Sequence, residues 1–310
     1  MTAGTPKFPP HSRQPSGSPR TWILGAQVSI IFLVVLAKCI LPNISRFGFK
    51  AKATFTFVPT PNLSIVMASE KRVAAWAAIM NDPRRRKLQA TVRCKPETLP
   101  NFSRVRGRAR EANIAVWNKD CLDVVLDLAV MFSKVCVLNL GNNLGPAGNA
   151  PPFHATQEEV LLQRTDLGKS LLVQHYPLET DDSQHDALWT EGVTLVHNRE
   201  LQPTSGKCTF SVATIAATKD PKTIAKRLVP AEAAKLEAKI RTVFNAALHH
   251  GCDALLLGAL GCGAFDNPPE HVAEIFQAVV NDFRYMFRAI HFAVLAGKTN
   301  NFRVFDNVIH

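Results

Sequence analysis

At 310 residues, 46% apolar and 20% charged, the sequence has the balance of a globular protein. That excludes a disordered chain and leaves a core large enough to need no staples. The formal charge of +11 sits in the N-terminal part: no Asp or Glu precedes Glu70, a basic run covers Lys71 to Arg110, and acids outnumber bases beyond Cys121. This distribution weakens the polyanion-partner reading that such a charge suggests; Arg104 to Arg110 reads as a solvated face or as an attractor of a polyanionic polymer, and no direct DNA binding is expected. Seven cysteines (39, 94, 121, 136, 208, 252 and 262) form no CxxC pair and no metal-ligand spacing. They read as reduced, buried thiols, with no metal site and no cofactor expected.

Residues 1–66 read as a basic, acid-poor segment and residues 67–310 as the working domain. Residues 1–20 are rich in Pro, Ser, Gly and Thr and are expected to be disordered. Trp22 to Ala37 is apolar apart from Gln27 and Ser29, with Arg20 and Lys38 at its ends. Extended past Lys38, the stretch 22–41 approaches the ~20 residues that span a bilayer. It reads as a signal anchor or signal peptide, as an organelle presequence, or as sequence outside a protein that starts near Met67. The first reading implies a membrane-anchored protein; the third implies a cytoplasmic or nuclear one. Asn43-Ile44-Ser45 and Asn62-Leu63-Ser64 are glycosylation sequons that matter only if this region is lumenal.

From Glu70 onward helices and strands alternate. Helices are expected over Glu70–Asn81 and Pro83–Val92, and from a cap at Asp120 to about Phe132. Val135–Leu140 is a strand apolar on both faces, followed by a helix over Thr156–Leu172 and strands over Val193–His197 and Cys208–Ala216. Pro230–His250 opens on Pro and ends at Gly251, as helices do. Strand Ala254–Gly258, helix Pro268–Phe287 and strand Ile290–Ala296 complete the order. This alternation predicts an α/β fold, a sheet between helix layers, with ligands at the carboxyl ends of strands.

Two Gly-rich loops fall at such ends. The first follows Leu140 and leads to Gln157-Glu158-Glu159; the second runs from Leu257 to Phe276. Gly258, Gly261 and Gly263 permit positive φ and close backbone approach, so the second loop reads either as an anion nest or as a tight strand-to-helix turn. Thr156-Gln157-Glu158-Glu159 fits a capping box, in which Glu159 reaches back to the Thr156 N–H. It equally supplies a carboxyl group able, in a dry pocket, to protonate a glycosidic oxygen.

Together these motifs resemble the microbial-type poly(ADP-ribose) glycohydrolases. The family pattern is a strand with an Asn, then Asn-Pro-Gly-Gly-Gly, a short spacer and Gln-Glu-Glu. A second signature, Leu-Gly-Ala-x-Gly-Cys-Gly-Ala-Phe-x-Asn-Pro, stands almost entire from Leu257 to Pro268. Tyr176-Pro177 and the closing Asn301-Phe302-Arg303-Val304-Phe305 also fit, and the likeness covers roughly residues 70–310. The resemblance implies a macrodomain-like three-layer sandwich, a mixed sheet flanked by helices, with an N-terminal helical extension. It implies a monomer that hydrolyses the ribose–ribose O-glycosidic bond of poly(ADP-ribose) on ADP-ribosylated proteins, without a metal. Glu159 would be the acid/base and Glu158 would hold the ribose. Gln157 would shape the site, and Asn139 and the loop from Gly145 to Gly148 would lie along ADP-ribose. Gly261, Cys262, Gly263, Ala264 and Phe265 would cradle the diphosphate and flank the distal ribose.

The sequence departs from the pattern at Gly145-Pro146-Ala147-Gly148. Pro146 lacks an N–H and Ala147 adds a Cβ where the family has glycine. A binding module or pseudoenzyme that holds ADP-ribose without cleaving it is therefore the alternative expectation. A diverged domain with a structural or membrane-tethered interaction role is a third.

Overall fold

The structure is a computed structural model that describes residues 63–83, 91–102, 110–179, 185–205, 207–297 and 299–310. The apolar stretch 22–41, both sequons' asparagines, Arg84 to Lys87 and Arg104 to Arg108 lie outside the described residues. Helix α1 (Leu63–Asn81) comes first, then strands β1 (Val92–Cys94) and β2 (Asn113–Trp117), helix α2 (Cys121–Met131) and strand β3 (Val135–Leu140). Helix α3 (Gln157–Arg164), strands β4 (Ala187–Thr194) and β5 (Thr209–Ile215), and the small hairpin β6 (Thr223–Ile224) and β7 (Arg227–Leu228) follow. Helix α4 (Pro230–His249), strand β8 (Ala254–Leu257), helix α5 (Pro269–Phe283), strand β9 (Ala289–Ala293) and helix α6 (Asn301–Val308) end the chain. No described helix is long and apolar enough to cross a membrane.

Seven strands form one mixed sheet in the order β1-β4-β5-β3-β8-β9-β2. β5, β3, β8, β9 and β2 run parallel to one another, and β4 and β1 close one edge antiparallel. Because side chains alternate along a strand, each central strand feeds two cores. Cys136 and Leu138 of β3 join a core built with α4, α5 and α6 through Phe244, Phe276 and Phe305. Val135 and Val137 join the opposite core, built with α2 and α3 through Leu122, Val125 and Leu161. The result is the expected helix–sheet–helix sandwich. Six described cysteines carry free thiols, five of them buried.

Several boundaries differ from expectation. α1 starts at Leu63 rather than Glu70, since nothing from Leu63 to Ser69 breaks a helix. Val92 belongs to β1, not to the helix expected over Pro83–Val92. α3 stops at Arg164, well short of Leu172. The Thr165 hydroxyl turns back to Leu161 O (2.7 Å), and Asp166 Oδ1 accepts the Thr194 N–H (2.7 Å), pinning the chain to β4. β4 begins at Ala187, not Val193, because Gly192 (φ +67°) and a shift of pairing between Thr190 and Val193 interrupt the alternation that marks a strand. α5 ends at Phe283 and β9 at Ala293, each short of the expected end. β1, β2 and α6 were not anticipated as elements.

α6 fastens the last helix to the core through Phe305, whose fully buried ring lies 5.8 Å from that of Phe292 and 6.1 Å from that of Phe276. Phe305→Ala is expected to lower the unfolding free energy by about 3–5 kcal/mol in denaturant titration.

Candidate active site

The carboxyl ends of β3, β8 and β9 open onto a cavity of about 560 Å³. Gln157, Glu158 and Glu159 line it from α3, and Gly261, Gly263, Ala264 and Phe265 line it from the loop after β8. The two motifs, a hundred residues apart in sequence, thus meet because β3 and β8 are parallel neighbours.

Each residue of the triplet does a different job. Gln157 stitches α3 to β3: its Oε1 accepts the Leu140 N–H (2.9 Å) and its Nε2 donates to Leu138 O (2.8 Å). Glu158 is buried against the strand end. Its Oε1 accepts from Asn139 Nδ2 (3.3 Å), and its Oε2 accepts the N–H groups of Asn142 (3.2 Å) and Ala147 (3.1 Å). Burial outweighs those bonds and pushes its carboxyl up to about 7. Glu159 closes the capping box. Its Oε2 accepts from the Thr156 hydroxyl (2.7 Å) and the Thr156 N–H (3.3 Å), and its Oε1 accepts the His154 N–H (3.1 Å). Capping does not remove Glu159 from the cavity wall, which it shares with Thr156 and His154.

Asn139 is fully buried behind Glu158, with its Nδ2 also donating to Thr214 Oγ1 (3.1 Å). Gly145 and Gly148 are not among the cavity-lining residues; Ala147 takes that place. Its φ of +49° is the left-handed conformation that glycine adopts without strain. On its far side the loop is tied down through Asn143, whose Oδ1 accepts the Glu179 N–H (2.7 Å), while the Glu179 carboxylate contacts Lys239 and Lys235.

The second loop is a preformed cradle. Gly261 holds φ +75°, and a Cβ there would lie 2.6 Å from the Ala217 Cβ. Asn267 Nδ2 donates to Thr218 O (2.9 Å) and to Phe265 O (3.1 Å), and Asn301 Nδ2 donates to Cys262 O (3.0 Å). Among the described residues, none of the bonds that close the loop uses the N–H of Gly263, Ala264 or Phe265. Successive backbone donors of this kind suit an anion. Cys262 itself is buried, and burial pushes its thiol well above the ordinary range, so it supports the loop rather than acting as a nucleophile.

Sequence reasoning overlooked Lys119 and Asp120 at the start of α2, Asn142, and His154, all of which line the cavity. Asp120 was seen only as a cap. Its carboxylate does accept the Leu122 N–H (2.9 Å), but it also pairs with the buried Arg164 (3.0 Å). His154 precedes Gln157 by three residues, and its proximity to a helix start was the available signal.

No family model matches the sequence, and no curated protein matches it. Solved structures do. The poly(ADP-ribose) glycohydrolase of Thermomonospora curvata superposes with a TM-score of 0.66 at 23% identity, over 76% of this chain and 98% of that one. The same enzyme bound to the inhibitor ADP-HPD gives 0.65 at 23% identity and the same coverage. The poly(ADP-ribose) glycohydrolase of Deinococcus radiodurans in complex with ADP-ribose gives 0.62 at 22% identity, over 71% and 94%. The chain has the macrodomain-like fold of these proteins.

The two loops respond oppositely to a methyl group. Ala147→Gly is expected to raise the unfolding free energy by about 1 kcal/mol by relieving the left-handed alanine. Gly261→Ala is expected to lower it by about 1–3 kcal/mol. Paired denaturant titrations read both.

Proposed function

We propose that this chain hydrolyses ribose–ribose O-glycosidic bonds of poly(ADP-ribose) on ADP-ribosylated proteins, releasing ADP-ribose by carboxylate acid/base catalysis. The observation that carries the reading is one cavity shared by Glu158, Glu159 and the Gly263–Phe265 amides. It sets proton-transfer groups beside an anion cradle on a fold whose solved examples include complexes with ADP-ribose.

In this reading the N–H groups of Gly263, Ala264 and Phe265 hold the diphosphate, with Gly261 and Cys262 shaping the turn beneath them. Gln157 and Asn139 fix the strand end against which the ribose rests. Glu158 holds a ribose hydroxyl. Glu159 protonates the departing ribose oxygen and then activates water as positive charge develops at the anomeric carbon. A second reading, ADP-ribose binding without hydrolysis, draws on the first loop. Pro146 offers no N–H, and the Ala147 N–H is already bonded to Glu158.

Purified protein is expected to release ADP-ribose from automodified substrate, and Glu159→Gln to slow release by at least about 100-fold. Calorimetric binding of ADP-ribose with no release supports the binding-module reading; no binding at all ends both.

Glu158 supplies a second expectation. Its carboxyl exchanges its proton near pH 7. An arriving diphosphate disfavours the carboxylate and raises that value further. Binding at pH 7 is therefore accompanied by proton uptake, and affinity grows as pH falls through 7. Titration calorimetry in buffers of different ionisation enthalpy measures the uptake, which Glu158→Gln is expected to abolish.

A further inference from the structure

The segment just before α3 is gripped from three sides. Gln163, buried one helical turn beyond Glu159, donates its Nε2 to Pro152 O (2.9 Å) and to His154 O (2.7 Å). Between those two carbonyls lies the Phe153–His154 peptide, and its two polar ends meet a carboxyl group and a guanidinium. Its N–H donates to Glu159 Oε1 at 3.1 Å. Its carbonyl, Phe153 O, accepts from the guanidinium of Arg72 at 3.2 Å. Arg72 lies on α1, which precedes every strand of the sheet.

We infer that Arg72 is a positioning residue for Glu159, acting through this single peptide unit. A cation on the carbonyl oxygen polarises the amide and strengthens the donor at its other end. It also fixes the peptide plane, and with it the direction from which Glu159 Oε1 is held. The same plane sets His154, whose ring packs edge-on against that of Phe153 (5.1 Å between centroids, 74°) and lines the cavity. α1 is thereby part of the site's machinery and not only a cover for its core. The inference rests on the proposed acid/base role of Glu159.

The test compares Arg72→Gln and Arg72→Lys with the parent chain and Glu159→Gln. Losing a hydrogen bond to a charged group is expected to lower kcat for ADP-ribose release about 10-fold in Arg72→Gln, with KM changed less than about twofold. Arg72→Lys, which keeps a cation and a donor, is expected to recover at least half of the parent kcat. A spectroscopic signature accompanies this: in NMR spectra the His154 amide proton moves upfield in Arg72→Gln and returns towards the parent position in Arg72→Lys. Parent-like kcat and an unmoved His154 amide in Arg72→Gln overturn the inference. A fall in kcat that Lys does not restore, with the amide unmoved, reduces Arg72 to a packing residue and also overturns it. Full activity in Glu159→Gln sinks the acid/base reading instead. If the parent chain releases nothing, the amide signature alone decides whether Arg72 acts on this peptide.

Discussion

The site is organised around a carboxyl group in a place that disfavours its charge. Glu158 is buried at the end of β3, yet it is the only described group that receives hydrogen bonds from the strand residue Asn139 and from both Asn142 and Ala147 in the loop that follows. If the loop left, the buried Glu158 carboxyl would lose two of its donors, and if Glu158 left, the Asn139 amide and the two loop N–H groups would lose their acceptor. Helix start, strand end and loop are therefore one mechanical unit. The competition between burial, which favours the proton, and three donors, which favour the charge, leaves the group titrating near neutrality.

Its neighbours show how a helix terminus can brace the fold and line a cavity at once. Gln157 replaces a missing strand neighbour by pairing with the main chain on both sides of Asn139. Glu159 makes both halves of a capping box while lining the cavity. Capping and catalysis are often weighed as rival explanations of a Glu at the third helical position. Here the two coexist in geometry: each Glu159 oxygen is held by a named donor, and the residue still lines the cavity.

Much of this was legible in the sequence, for identifiable reasons. β8 is a continuous apolar run and β3 is one broken only by Asn139, each followed by glycine, so both strands and both loops could be read directly. α4 and α5 announce themselves by proline in the first turn. β1 and β2 were missed because Val92–Cys94 is three residues long and Asn113–Trp117 is partly exposed at a sheet edge, where alternation is weak. The length of α3 was overestimated because the polar contacts that end it, at Thr165 and Asp166, reach residues distant in sequence. Of the motif residues, Gln157, Glu158, Glu159, Gly261, Gly263, Ala264 and Phe265 line the cavity, whereas in the first loop Asn142 and Ala147 line it and Gly145 and Gly148 do not. Lys119 and Asp120 were missed because only the fold brings them to the cavity, and His154 was missed although it stands three residues before Gln157. Arg72 carried no signal: the carbonyl it meets is 81 residues away.

The sheet order also bears on how this protein is made. β2, emitted early, pairs among the described strands with β9 alone, and Trp117 donates a hydrogen bond to His291 across 174 residues of sequence. The ribosome needs on the order of ten seconds or more to bridge that interval. For that time the nascent chain carries β2 without its partner, and the β3 loop without the strand that brings the second cradle beside it. Such long-range parallel pairing also slows folding after release. The assembly line thus completes the cavity late, and the edge of β2 that awaits β9 marks where a chaperone would have most to shield.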